Sequence, residues 1–205
     1  YSNEFRTVSL VGVDDGVPVY LATDNIEAAV TTGVLKLRGG NPLGVDLQGF
    51  DMRVGVWDGG KVAHTEFENR ILFTEGANND NHATHVTGTI AAAGITNPDI
   101  RGMAPKAKII SYDFNNALSE MASLAKPNQS SIILSNHSYG FVTGWDCTVN
   151  PCQWRDNPTV STLEDFRFGF YSNNTREWDR IANNAPYYLM VKSAGNDRSD
   201  RGANG

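Results

Sequence analysis

Hydrophobic and polar positions change character near residue 50. Before it, residues 8–13 and 17–21 are short runs rich in Val, Leu and Tyr, parted by Asp14, Asp15 and Gly16. That spacing predicts a β-hairpin. Residues 26–31 predict a short helix behind Asp24 or Asn25 as its cap, and Gly39-Gly40-Asn41-Pro42 a loop.

Beyond residue 50, β-type and helical patterns alternate. Residues 53–58, Arg-Val-Gly-Val-Trp-Asp, predict a strand ending on a carboxylate, and residues 59–80 are polar and irregular. Residues 81–93 predict a helix with Val86, Ile90 and the alanines inward and Gly94 as its stop. A buried strand follows at 107–112, a helix at 116–126 closed by Pro127, and a strand at 131–135. An amphipathic helix at 175–184 leads into a last strand at 187–193. Such alternation implies a mainly parallel sheet with helices on both faces. Chemistry then gathers past the carboxyl ends of the strands. The residues at those ends are Asp58, Asp113, Asn136-His137-Ser138 and Gly195-Asn196, with His82 in the first turn of a helix.

Composition narrows the function classes. A chain of 205 residues holds one large domain or two small ones. Seventeen Lys+Arg against 23 Asp+Glu give a net charge of −6, which argues against a nucleic-acid binder. No apolar run is long enough for a membrane helix. The N-terminal Tyr-Ser-Asn-Glu-Phe-Arg lacks a signal-peptide pattern, so secretion implies a leader already removed. Cys147 and Cys152 suit either a local disulfide or two free thiols and lean toward an oxidising compartment.

Three segments carry chemistry. In His82-Ala-Thr-His-Val-Thr-Gly-Thr89 an imidazole faces the positive end of a helix, which favours the neutral base. A strand-end carboxylate such as Asp58 would hold its other nitrogen in the donor tautomer. The rival is a metal site built from His82 and His85 with Asp58 or His64, though His-Glu-x-x-His is absent. Ser135-Asn-His-Ser-Tyr-Gly140 offers free backbone groups to which an extended peptide can add as a strand. In Ser193-Ala-Gly-Asn-Asp197 small residues permit close approach, and the Asn196 carboxamide can donate to an oxyanion.

Taken in order, Asp58-Gly, His82-x-Thr-His-Val-x-Gly-Thr, Ser138-Tyr-Gly and Ala194-Gly-Asn196 resemble the subtilisin-like serine proteases, the subtilases of peptidase family S8. Arg101-Gly-Met-Ala-Pro105 resembles that family's Gly-Val-Ala-Pro segment, and the resemblance runs over residues 25–200. The order Asp, His, Ser is the known one for subtilisin. The resemblance implies a three-layer subtilisin-like α/β fold, incomplete at its C-terminal side. It makes Asp58 the residue that orients the imidazole, His82 the general base and Asn196 the oxyanion donor. Ser138, Tyr139 and Gly140 become one wall of the substrate cleft, and Ser193, Ala194 and Gly195 the other.

Three positions depart from the family pattern. Ala83 stands where Gly is usual, Trp57 where smaller residues are common, and no serine fits the Gly-Thr-Ser nucleophile motif. The expected protein is a serine endopeptidase whose nucleophile lies outside this chain, on a C-terminal fragment of the same precursor. The alternatives are a non-catalytic peptide-binding homologue and an inactive truncation. Residues 1–24 are read as an extension or prosegment remnant, 25–205 as the N-terminal part of the peptidase domain, and 141–174 as an insert. The chain is expected to be secreted, to bind peptide or protein substrate rather than nucleic acid or membrane, and to need no cofactor for catalysis. Structural calcium is allowed for, with Glu66, Asn78, Asn79, Asp80, Asp197 and Asp200 as its oxygen ligands.

Overall fold

The structure, a computed structural model, describes residues 8–14, 17–22, 25–125, 132–147, 151–161 and 163–196. Expectations resting on Asp15, Gly16, Asp24, Pro127, Ser131, Asp197 and Asp200 lie outside the described residues. The chain divides into two compact units, residues 1–115 and 116–205.

In the first unit β1 (Val8–Asp14) and β2 (Val17–Ala22) form the predicted antiparallel hairpin. α1 (Asn25–Thr31) follows. The sheet that positions the chemistry contains β3 (Arg53–Asp58), β4 (Ile71–Thr74) and β5 (Lys108–Asp113). β5 pairs in parallel with both of the others. Val54, Val56, Trp57, Ile109 and Ile110 are buried, the near-continuous apolar pattern of parallel strands covered on both faces. Trp57 is a core residue, its ring stacked on Tyr112 with centroids 5.3 Å apart. β3 and β5 run in register from Arg53↔Lys108 to Asp58↔Asp113, so both strands end on a carboxylate.

Two expectations are corrected here. Residues 59–80 are not irregular throughout, because Ile71–Thr74 pairs with β5. α2 (Asn81–Ala91) ends two residues early, and its buried face is Ala83, Thr87 and Ala91, with Val86 and Ile90 only half-buried. The reason is close packing: small side chains at i, i+4 and i+8 let the helix lie near β3. Its last carbonyls are taken by the segment that follows. Gly102, Met103 and Ala104 donate their amides to Ala92, Thr89 and Ile90 at 2.9, 3.0 and 2.7 Å. Gly102 must be glycine, since a Cβ there would lie 2.6 Å from the Ala91 nitrogen.

The second unit holds α3 (Ala117–Leu124), β6 (Leu134–His137), β7 (Trp145–Asp146), β8 (Gln153–Trp154), α4 (Asn173–Asn184) and β9 (Leu189–Lys192). β6 and β9 are parallel, Leu134↔Leu189 through His137↔Lys192. β6 therefore extends over Asn136 and His137, which the sequence reading placed past the strand end. α4 begins at a Ser172 cap and packs on α3. Between β6 and α4, the antiparallel pair β7–β8 sets Trp145 against Trp154 with the rings tilted, and the Cys147–Cys152 disulfide lies between the two strands in sequence. The open choice between thiols and disulfide thus resolves to the disulfide. Both units are parallel-stranded α/β structures.

Candidate active site

Asp58 is the last residue of β3 and is 2% exposed. Its Oδ1 accepts the Gly59 amide at 2.7 Å and faces His82 Nδ1, also at 2.7 Å. A carboxylate only accepts, so the proton of this contact sits on Nδ1, and the lone pair of the neutral ring is on Nε2. The His82 side chain is 58% exposed, so a buried carboxylate orients an imidazole that is open to solvent.

The register of His82 is fixed by Asp80. Its side chain caps α2 by accepting the Ala83 amide at 2.7 Å, and its own amide donates to the Lys61 carbonyl at 2.9 Å. Gly59 and Gly60 make room for it: a Cβ on Gly59 would lie 3.1 Å from Asp80 Oδ2, and one on Gly60 3.2 Å from Asp80 Cβ. The methyl of Ala83, the departure from the family pattern, is fully buried with Val62 and Phe67.

At its other end α2 leads into a loop gripped by Glu66. This carboxylate accepts the amides of Gly94, Ile95 and Thr96 at 2.6, 2.9 and 2.7 Å and the Thr96 hydroxyl at 2.6 Å. Burial opposes ionisation, but the Thr96 hydroxyl and the amides of Thr96, Ile95 and Gly94 outweigh it and draw the group down to about 2. Offered from sequence as a calcium ligand, Glu66 has its oxygens met by four donors of the fold.

In the second unit the two segments expected to wall a substrate cleft leave adjacent strands. Ser138, Tyr139 and Gly140 follow β6; Ser193, Ala194, Gly195 and Asn196 follow β9. The Ser193 amide donates to the His137 carbonyl at 3.0 Å. Ser138 accepts from Asn136 Nδ2 at 2.9 Å and Gly140 is exposed. Ser193, Ala194, Gly195 and Asn196 are all exposed, and Gly195 turns the chain at a φ of 98°.

Beneath Tyr139 lies a polar chain that the sequence reading did not find. Tyr188 donates to Ser135 Oγ at 2.7 Å; Ser135 meets His137 Nε2 at 2.8 Å; His137 Nδ1 meets the Tyr139 hydroxyl at 3.3 Å. Burial, with the charge of Lys192 adding to it, holds the His137 imidazole down to about 3, so it stays neutral. Burial also pushes the Tyr188 phenol up to about 12 against the opposing Ser135 contact, so it stays a donor. The i, i+2, i+4 spacing of Ser135, His137 and Tyr139 was the available signal.

Of the rival metal set, His85 and His64 do not join Asp58 and His82. Both line a cavity of about 510 Å³ with Thr84, Gly88 and Ile100, and His64 Nδ1 accepts the Glu66 amide at 3.2 Å.

A parallel strand ends on a buried Asp bonded to an exposed His in the first helical turn, an arrangement that can orient an imidazole as a base. The model of the subtilase family, peptidase S8, matches residues 46–205, and the chain belongs to that family of serine proteases. No curated protein and no solved structure matches the chain.

Proposed function

We propose that this chain carries the base, its orienting carboxylate and an oxyanion donor of a secreted serine endopeptidase, with the nucleophilic serine on a segment outside these 205 residues. The observation that supports it most is the 2.7 Å contact between His82 Nδ1 and Asp58 Oδ1, with the ring exposed and the carboxylate buried. That tautomer leaves Nε2 to take the proton of an attacking hydroxyl. Imidazolium then forms beside the Asp58 carboxylate, and the same proton passes to the leaving amine. The Asn196 carboxamide is the donor to the oxyanion, and the backbone of Ser138–Gly140 and Ser193–Gly195 is the edge that takes an extended peptide.

Extracellular location is supported by the habit of the family and by the Cys147–Cys152 disulfide. Among the described residues no helix is long and apolar enough to cross a membrane. The test is labelling of the native preparation with a serine-reactive fluorophosphonate, read by intact mass. Label on a separate polypeptide that copurifies with this chain is expected. A preparation that neither labels nor hydrolyses peptide overturns the proposal and leaves the peptide-binding alternative.

A further inference from the structure

Asp80 is more than a helix cap. One carboxylate oxygen of Asp58, one of Asp80 and one ring nitrogen of His82 all lie within 4.8 Å of one another. Asp58 uses Oδ1 for both of its hydrogen bonds, while Oδ2 is buried and has no hydrogen-bond partner among the described residues. Asp80 gives Oδ1 to the Ala83 amide and holds Oδ2 against Gly59, whose missing side chain keeps that space open. Two carboxylates this close, one of them sealed from water, repel each other, and a cation between them relieves that repulsion.

We propose that Asp58, Asp80 and His82 form a binding site for a divalent transition-metal ion, Zn2+ foremost. Two carboxylate oxygens and one imidazole nitrogen suit zinc, whereas calcium asks for six or more oxygens. Around a tetrahedral ion with bonds near 2.1 Å, donor atoms sit roughly 3.5 Å apart. The three atoms lie within 4.8 Å, so closing the set on zinc takes about one ångström of movement and replaces the His82 Nδ1–Asp58 Oδ1 hydrogen bond with bonds to the ion. The fourth position is open to water. An ion so placed occupies the general base, which makes the site inhibitory; this last part rests on the peptidase reading above.

The test is titration of the chelator-treated chain with Zn2+ by calorimetry, with metal analysis after dialysis. One Zn2+ per chain is expected, weakened at least about tenfold in D80N and in H82Q and unchanged in H85Q. Asn caps a helix as well as Asp, so D80N keeps the start of α2, and circular dichroism checks this. Should D80N fail to fold, H82Q carries the test, since its ring is at the surface. Binding below one ion per chain, unchanged affinity in the folded D80N or in H82Q, or loss in H85Q overturns the site. The inhibitory part is read separately, in a preparation that turns over peptide. Inhibition by Zn2+ that needs about tenfold more ion in D80N supports it, and hydrolysis indifferent to bound zinc overturns it. Zinc bound with the expected variant pattern in a preparation with no hydrolysis leaves the site standing and counts against the peptidase reading instead.

Discussion

Thr96 is held twice by one carboxylate: its amide nitrogen and its hydroxyl lie 2.7 and 2.6 Å from Oε1 of Glu66. With the amides of Gly94 and Ile95 on the other oxygen, the side chain closes the loop that follows α2. Glu66→Ala removes the shared acceptor of four part-buried hydrogen bonds and is expected to cost roughly 1–3 kcal/mol. Urea unfolding measures it, and a loss below about 1 kcal/mol would show that the loop re-forms its bonds elsewhere.

Acid is the weak side of this fold. An unfolded histidine takes its proton near pH 6.5, whereas His137 in the folded chain is held down to about 3. The unfolded chain therefore binds that proton first, and stability falls as pH drops below about 6.5. Glu66, about 2 when folded and near the usual carboxylate value when unfolded, adds a second loss below about pH 4.5. Above pH 7 neither group contributes a slope. The expected urea midpoint is flat from pH 7 to 8, declines below 6.5 and steepens below 4.5. His137→Gln removes the upper limb and Glu66→Gln the lower one.

In a preparation that hydrolyses peptide, Asp58→Asn is expected to lower kcat about 10⁴-fold, because the amide favours the wrong imidazole tautomer. KM should change little. Steady-state kinetics on a chromogenic peptide measures both, and a variant that keeps more than a tenth of wild-type kcat removes Asp58 from the mechanism.

The insert is expected to be held more by one carboxylate than by its disulfide. Asp165, fully buried, accepts the Gly144 amide at 2.8 Å and binds Arg167 Nη2 at 2.6 Å. Hydrogen bonds from Arg167 hold it well below the usual carboxylate range, burial notwithstanding. The Cys147–Cys152 bridge spans five positions, a loop closure that stabilises by about 2 kcal/mol. Asp165→Asn takes the charge from a buried acceptor and weakens its bonds to the partly exposed Arg167, and is expected to destabilise the insert more than loss of the bridge does. Comparing urea unfolding of that variant with the reduced wild type decides the order, and a reversal would make the bridge the principal brace.

What the sequence made legible was the part governed by local rules. β3 reads from Arg53 to Asp58 because a buried parallel strand needs an apolar run and ends where a carboxylate can be used. α2 begins at Asn81 because Asp80 is a strong cap. The hidden parts depend on distant partners. Ile71–Thr74 is half-exposed, so its pairing with β5 leaves little hydrophobic signature. Asn136 and His137 look like loop residues until β9 pairs with them and Tyr188 and Ser135 satisfy the imidazole. Glu66 looks like a solvated acid because the amides it binds are about thirty residues away. Asp80 announces a cap, and nothing local announces its nearness to Asp58.

The chain thus contains two serine- or carboxylate-linked imidazoles of opposite temper. His82 is open and its free nitrogen is available. Ser135 and His137, each 0% exposed, also make a serine–histidine contact, but Tyr188 already donates to that serine. Both side chains are sealed from solvent, so no reagent reaches the serine oxygen. An electrophile that scans for nucleophilic serines will therefore pass over Ser135 in the native protein and find it only after β6 separates from β9, so its modification is a reporter of opening rather than of activity.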